Sequence, residues 1–122
     1  MKIRIDGDGT ELTGTLDDDA TSRDFLSLLP LTLTLEDHNS TEKISDLPKR
    51  LSTTGAPAGV DPSAGDIAYY APWGNLAIFD RDFRYSTGLV KLGRIDGSLD
   101  AFAREGMLRV TIERAENRPI VT

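Results

Sequence analysis

The amino-acid sequence predicts a mainly β protein, a closed barrel of about eight short strands with two short α-helices covering its ends. Three observations lead to this fold class. Short segments alternate between apolar and polar residues with the period of two that strands have. Glycine, proline, asparagine and aspartate separate these segments, and only two segments show helical spacing. Strands this short, in a chain of 122 residues, protect their edges best by closing into a barrel.

The strands are predicted from alternation and from the turns between them. Residues 1–16 form a hairpin, because the Gly7–Gly9 segment contains an Asp-Gly pair that tolerates the positive φ of a tight turn. Residues 31–35 alternate leucine and threonine, which predicts a strand with its leucines inward and a turn at residues 36–40. The remaining strands are predicted at residues 41–44, at residues 67–79 as a pair around a Pro72–Asn75 turn, at residues 89–95 and at residues 108–113.

The two helices are predicted from capping residues and apolar stripes. Thr21 is the expected N-cap of the first helix, with Asp24 at the capping-box position, and Pro30 ends that helix. Ser98 is the expected N-cap of the second helix, and Gly106 fits its C-terminal end. The domain is therefore expected to span residues 1–114, followed by a polar tail at residues 115–122.

Composition excludes several classes of function. The chain has no cysteine, which rules out disulfides, thiolate metal sites and a cysteine nucleophile. Its net charge is −6 and its ten arginines are scattered, so a nucleic-acid partner is not expected. No segment has the apolar length of a signal peptide or a membrane span. We therefore expect a cytoplasmic protein with no membrane partner, and the sequence is compatible with a homo-oligomer.

The candidate binding residues are aromatic side chains near the middle strands. The predicted ligand-binding residues are Tyr70, Trp73, Phe79, Tyr85 and Arg50. Consecutive tyrosines in a strand must face opposite sides, and a tryptophan in a Pro-Trp-Gly-Asn turn is hard to bury fully. An exposed aromatic patch of this kind favours a binding site.

The part of the longest irregular segment from Gly55 to Gly65 is expected to form a movable wall of that binding site. Residues 51–65 contain three glycines and two prolines and exceed the usual length of a connection. His38 is interpreted as a turn residue, because no metal-ligand or catalytic partner follows it at a suitable spacing. Glu42 and Asp46 share one strand face but have no visible acid–base partner. We therefore predict no catalytic set, no metal site and no cofactor.

The chain resembles the bacterial cyclophilin-like domain family. The resemblance rests on Asp46-Leu47-Pro48, on residues 65–79, and on the Gly88–Ile95 segment followed by a helix and a strand. It covers roughly residues 1–113. It implies a closed, eight-stranded β-barrel capped by two helices.

The chain departs from the pattern of peptidyl-prolyl isomerases. Those cyclophilins carry a Phe-His-Arg strand and a Gly-Ser-Gln-Phe-Phe strand, whereas the corresponding segments here are residues 41–50 and Asn75–Phe79. The leading hypothesis is therefore a binding module for a small molecule or an extended peptide. The alternative is an isomerase with a rearranged active site, in which Arg50 or Lys43 supplies the cation that stabilises a twisted amide.

Overall fold

A computed structural model describes residues 1–115 of the 122-residue chain. Within this part, ten strands and two helices follow one another along the chain. In chain order they are β1 Lys2–Gly7, β2 Thr10–Leu16, α1 Ala20–Ser27, β3 Leu31–His38, β4 Glu42–Asp46, β5 Gly59–Val60, β6 Asp66–Tyr70, β7 Asn75–Phe79, β8 Ser86–Thr87, β9 Leu89–Asp96, α2 Asp100–Ala103 and β10 Leu108–Arg114.

Eight of these strands form a closed barrel in the order β1-β10-β3-β4-β7-β6-β9-β2. The sequence-based prediction of a mainly β fold with an eight-stranded closed barrel and two short helices is confirmed. Every neighbouring pair in the barrel is antiparallel. The two short strands β5 and β8 pair with each other outside the barrel. Closure leaves no unpaired edge on the barrel itself.

The two helices lie at opposite ends of the barrel. α1 connects the end of β2 to the start of β3, and α2 connects the end of β9 to the start of β10. Because these connections leave the antiparallel barrel from opposite sides, each helix covers a different opening. Phe25 of α1 and Phe102 of α2 are both buried in the central core.

The N-cap of α1 is Asp19 and not the predicted Thr21. The Asp19 carboxylate accepts a hydrogen bond from the backbone N–H of Ser22 at 2.8 Å, which satisfies one of the free donors of the first turn. The predicted capping-box residue Asp24 faces the chain after β4 instead, and accepts from the backbone N–H of Ser52 at 2.7 Å. That bond, with the ammonium of Lys49, holds the pKa of Asp24 below its ordinary value.

Tight turns join the first two strand pairs. Asp8 and Gly9 both have positive φ, of 48° and 73°, which confirms the predicted hairpin between β1 and β2. Between β3 and β4, Asn39 and Ser40 have φ of 53° and 56°. This two-residue turn lets β3 continue to His38, three residues beyond the predicted strand end at Leu35. His38 therefore pairs within the sheet, opposite Glu42.

The barrel interior is largely apolar, and its two large polar side chains, Tyr69 and Lys43, both make hydrogen bonds within the protein. The Tyr69 hydroxyl accepts from the backbone N–H of Leu51 at 3.1 Å. The ammonium of Lys43, a residue only 1% exposed, donates to Asp37 at 2.5 Å and to the carbonyl of Gly106 at 2.6 Å. Buried polar groups cost little when all their partners are present.

The C-terminal boundary can be followed only to Ala115, whose backbone N–H donates to the carbonyl of Lys2 at 3.1 Å. The predicted polar tail at residues 115–122 otherwise lies outside the described residues. No helix in the described part of the chain has both the length and the apolar character needed to cross a membrane.

Candidate functional site

A groove lies on the outer face of the barrel, across β4, β7, β6 and β9. Strand alternation places Asn75, Ala77 and Phe79 of β7 on this outer face, and all three are nevertheless buried. They are buried because a second apolar cluster covers the sheet from outside, with Val60 and Phe83 packed against it. The outer face thus has its own small core, beside which the groove opens.

The groove has a volume of about 360 Å³, which lies within the range of small-ligand sites. Its walls combine aromatic and apolar side chains with a few polar groups. The lining residues are His38, Asn39, Glu42, Ile44, Tyr70, Trp73, Asn75, Phe79, Phe83, Ser86, Thr87 and Leu89.

Trp73 folds back over the groove from the turn between β6 and β7. This turn is held by the backbone N–H of Gly74, which donates to the carbonyl of Tyr70 at 2.9 Å. Gly74 has a φ of +68°, which a glycine adopts without strain. The indole meets the rings of Tyr70 and His38 edge to face, at centroid distances of 5.3 and 5.4 Å. Trp73 is still 56% exposed, so its face is available to a ligand.

These contacts join two turns that lie at opposite ends of β4. At the end of β4, Asp46 pairs with Asn75, which lies next to the turn that carries Trp73. At the start of β4, Glu42 pairs with His38. The Trp73 side chain therefore lies along the outer face and closes the groove on one side. No sequence spacing indicates this contact, because His38 and Trp73 belong to different hairpins.

Glu42 is a partly buried acid inside the groove. Its strand neighbours are His38 on β3 and Phe79 on β7. Burial raises the pKa of Glu42 to about 7, and the hydroxyl of the neighbouring Thr41 makes no hydrogen bond in the described part of the chain. No cation of residues 1–115 contributes to this pKa. The acid therefore changes its charge near neutral pH, inside a groove whose other walls are mostly apolar.

Asn75 supplies a second polar group without an internal partner. The residue is only 2% exposed, and its side-chain Oδ1 makes no hydrogen bond to any residue in the described part of the chain. A buried acceptor left without a donor costs about 1–3 kcal/mol. A ligand that donates to this oxygen would recover that cost.

Of the five predicted binding residues, three line the groove. Tyr70 and Trp73 form its aromatic wall, and Phe79, at 2% exposed, lies in its floor. Tyr85 does not line the groove: its ring packs over Gly59, where an added Cβ would lie 2.8 Å from the ring. Arg50 also lies outside, and its guanidinium donates to the carbonyl of Ala71 at 2.7 Å. Arg50 thereby braces the turn that carries Trp73.

Neither cation of the isomerase hypothesis reaches the groove. Lys43 faces the barrel interior, where Asp37 and the Gly106 carbonyl hold it. Arg50 binds the backbone of the β6–β7 turn. The placement of Lys43 follows from strand geometry, because Lys43 alternates with the groove residues Glu42 and Ile44 along β4.

The segment predicted as a movable wall lines a different cavity. Residues 54–57, 59 and 60 face a cavity of about 230 Å³, together with Asp17, Asp19 and Lys91. The wall of the aromatic groove comes instead from Phe83 to Leu89. The physical reason is the pairing of β5 with β8, which places the chain after β7 between the long loop and the groove.

Sequence reasoning missed His38, Glu42, Asn75 and Phe83 as lining residues. The sequence did contain a signal for Asn75. Asn75 and Phe79 are four residues apart on one strand, and residues separated by an even number of positions share a face. The interpretation of His38 as an ordinary turn residue also needs correction, because it ends β3 and packs on Trp73. In residues 1–115, no three acidic or histidine side chains are placed together to hold a metal ion.

Comparisons with known proteins agree with this architecture. A family profile described as the cyclophilin-like family matches residues 4–113. The solution structure of a hypothetical protein from Archaeoglobus fulgidus is similar to this chain, with a TM-score of 0.70 and 22% sequence identity. The similarity covers 94% of this chain and 95% of the archaeal one, and at this identity it concerns the fold alone. No curated protein matches. The extent of the family match shows that this chain belongs to the cyclophilin-like family.

Proposed function

We propose that this cyclophilin-like domain is a binding module that takes a small molecule or an extended peptide into the outer groove. The observation that carries the proposal is an aromatic groove of about 360 Å³ beneath a tryptophan that is 56% exposed. Exposed aromatic surface of this kind is rarely left in water unless it meets a partner. The proposal includes a cytoplasmic location, and neither a nucleic acid nor a membrane as partner.

The polar groups of the groove support the same proposal. Binding sites combine apolar walls with a few polar groups that fix the orientation of a ligand. Here the Asn75 Oδ1 and the Glu42 carboxyl have this role, since the protein leaves the first without a donor and the second without a cation in its described residues. A peptide would contact these groups with its side chains, because the closed barrel offers no edge for strand addition.

The experiment is a titration of ¹⁵N-labelled protein with 2-phenylethanol and with the blocked peptide acetyl-Ala-Phe-Ala-amide. We expect amide shifts in β4, in β7 and in residues 83–89, which surround the groove. Trp73 is the only tryptophan of the chain, so its fluorescence gives an independent binding curve.

Two matched variants test the location. Trp73→Ala should weaken binding about fivefold or more, because it removes an aromatic wall. Tyr85→Ala should leave binding unchanged, since Tyr85 is equally exposed but lies outside the groove. Shifts confined to residues 54–60 and Lys91, or equal losses in both variants, would show that the groove is not the site.

The isomerase alternative predicts faster proline cis/trans exchange in a blocked Ala-Pro peptide. We expect no acceleration, because the described lining of the groove contains no lysine or arginine. Acceleration that disappears in Arg50→Ala would favour the isomerase.

A further inference from the structure

We infer that the outer groove selects an organic cation, either a protonated amine or a guanidinium, over neutral and anionic molecules of the same shape. This inference rests on the proposed function and specifies the chemical class of the ligand. It depends on the placement of one acid, one unpartnered amide oxygen and the two aromatic rings of Tyr70 and Trp73.

The charge of the groove is the first support. Among the lining residues, Glu42 is the one acid, and lysine and arginine are absent from that lining. The two cations of the isomerase hypothesis are held elsewhere, Lys43 by Asp37 and Arg50 by the carbonyl of Ala71, and the Arg84 guanidinium lies over the ring of Phe83. A ligand cation therefore meets an acid that no cation of residues 1–115 neutralises.

Burial makes that acid dependent on a partner. A carboxylate removed from water is destabilised unless an opposite charge or several donors replace the lost hydration. Phe79, directly opposite Glu42 on β7, is 2% exposed and supplies no donor to it from its side chain. A bound ammonium would provide the missing charge at the wall formed by β4.

Asn75 extends the acceptor set to the other end of the groove. It is paired with Asp46 on β4, four residues from Glu42, which places the two acceptors about 13 Å apart along the strand direction. The Asn75 Oδ1 is buried and has no hydrogen-bond donor in the described part of the chain. A ligand with N–H groups can satisfy either acceptor, whereas an anion can satisfy neither.

Aromatic side chains line the same groove. Tyr70 and Trp73 are among them, and the negative faces of such rings attract ammonium and guanidinium groups. The ring of Phe83, a third lining residue, already has the guanidinium of Arg84 over it at 5.1 Å. The edge-to-face contact of Tyr70 with Trp73 leaves the two rings at an interplanar angle of 83°, so they form two walls of a corner. A cation seated in this corner is attracted from two directions, and an anion is repelled from both.

The test compares three probes of one shape: phenethylammonium, 2-phenylethanol and phenylacetate. Binding to the full chain is followed at pH 8.5 by Trp73 fluorescence and by amide shifts. We expect the cation to bind about tenfold or more tighter than the alcohol, which corresponds to roughly 1.4 kcal/mol. The phenylacetate anion should bind most weakly of the three.

Glu42→Gln tests the origin of the preference, because it removes the charge and retains the shape. We expect the cation to lose its advantage over the alcohol. Glu36→Gln is the matched control. Glu36 is exposed on β3, opposite Ile44, and does not line the groove. The same change of net charge there should leave the preference intact.

A second arm distinguishes the two sources of such a cation. Acetyl-Ala-Lys-Ala-amide is compared with acetyl-Ala-Gln-Ala-amide under the same conditions. Tighter binding of the lysine peptide than of phenethylammonium assigns the site to basic peptide side chains. The reverse order assigns it to small amines.

The outcomes separate this inference from the function on which it rests. If all three phenyl probes bind at the groove with equal affinity, or if the preference survives Glu42→Gln, the groove is a binding site but does not select cations. If none of the probes and neither peptide perturbs the groove, the proposed function itself fails.

Discussion

Lys43 and Glu42 are neighbours on one strand, and they show how differently the two faces of this barrel treat a charge. Lys43 faces inward, is 1% exposed, and donates to both Asp37 and the Gly106 carbonyl. Glu42 faces outward into the groove, and burial without a cation raises its pKa to about 7. The inner charge has hydrogen-bond partners within the protein, whereas no cation of residues 1–115 acts on the outer one.

Tyr69 and Tyr70, neighbours on β6, also differ in the face of the sheet that they occupy. The Tyr69 hydroxyl lies in the core and accepts from the backbone N–H of Leu51 at 3.1 Å. Tyr70 faces the groove, where its ring packs on Trp73. Satisfied polar groups rigidify a fold, and unsatisfied ones are found where binding occurs. Under the proposed function, the inner face of the sheet serves stability and the outer face serves recognition.

The largest expected effect on stability comes from removing the inner charge of Lys43. Lys43→Ala removes a buried aliphatic stem together with two hydrogen bonds, and we expect it to lower the free energy of unfolding by about 3 kcal/mol. Urea denaturation at pH 7 measures the change. A loss of unfolding free energy below about 0.5 kcal/mol would show that Lys43 does not stabilise the fold, and it would contradict the contrast drawn between Lys43 and Glu42.

The next effect is the pH dependence of cation binding, which comes from the charge of Glu42. Because a cation prefers the ionised form of Glu42 about tenfold or more, the affinity for phenethylammonium should rise about eightfold or more from pH 5.5 to pH 8.5, as the carboxyl titrates with a pKa of about 7. Isothermal titration across this range measures it. Charged or titratable residues on the elements around β4 are Glu36, Asp37 and His38 on β3, Tyr70 on β6, Asp80 after β7, and Asp100 on α2.

Of those groups, His38 and Tyr70 line the groove together with Glu42, so His38→Gln is the control for this pH dependence. The pH profile should persist in His38→Gln and vanish in Glu42→Gln. The opposite pattern would assign the titration to the histidine.

Glu42→Gln is expected to stabilise the protein, an effect smaller than that of Lys43→Ala and opposite in sign. The folded-state pKa of Glu42 is raised from 4.5 to about 7, so the native protein binds a proton more tightly than the unfolded chain. The stability that this tighter proton binding contributes is complete below 4.5, the pKa of Glu42 in the unfolded chain, and is lost as pH rises toward 7. Glu42→Gln should therefore raise the free energy of unfolding at pH 8 by about 1–2 kcal/mol, after allowance for partial exposure.

Denaturation at pH 4.5 supplies the reference for that measurement, because the gain should disappear there. A variant that is equally or less stable than the parent at pH 8 would show that Glu42 is not strained by burial. It would remove the contrast with Lys43.

The smallest effect separates the two tyrosines. Tyr69→Phe leaves the buried N–H of Leu51 without its acceptor and should cost about 1 kcal/mol of unfolding free energy. Tyr70→Phe should change stability by less than about 0.5 kcal/mol. Thermal unfolding of both variants measures the difference, and equal losses would contradict the assignment of opposite roles to the two faces.

Much of the fold could be predicted because its signals are local. The Asp8-Gly9 turn, the leucine–threonine alternation of β3 and the apolar periodicity of β10 all depend on residues close together in the chain. The N-cap of α1 was assigned two residues too late. Three consecutive aspartates offer several capping side chains, and the backbone geometry of Asp19 selects one of them.

The candidate site could be predicted only in part. Trp73, Tyr70 and Phe79 come from one sequence block, and their shared groove follows from two neighbouring strands. Arg50 and Tyr85 are close to that block in sequence, but both are occupied elsewhere, at the Ala71 carbonyl and over Gly59. Proximity along the chain does not determine the direction in which a loop side chain points.

The sequence by itself determined the eight strands of the barrel and the Asp8-Gly9 turn, because period-two alternation and turn chemistry act over a few residues, whereas the short strands β5 and β8 carry no such signal. Only the tertiary structure decided that Glu42, Asn75, His38 and Trp73 share one groove. Those residues come from separate hairpins, and barrel closure places them on one outer face. It also decided that Lys43 faces inward and Ile44 outward, because strand register, and not the polarity of single residues, sets which face each side chain occupies.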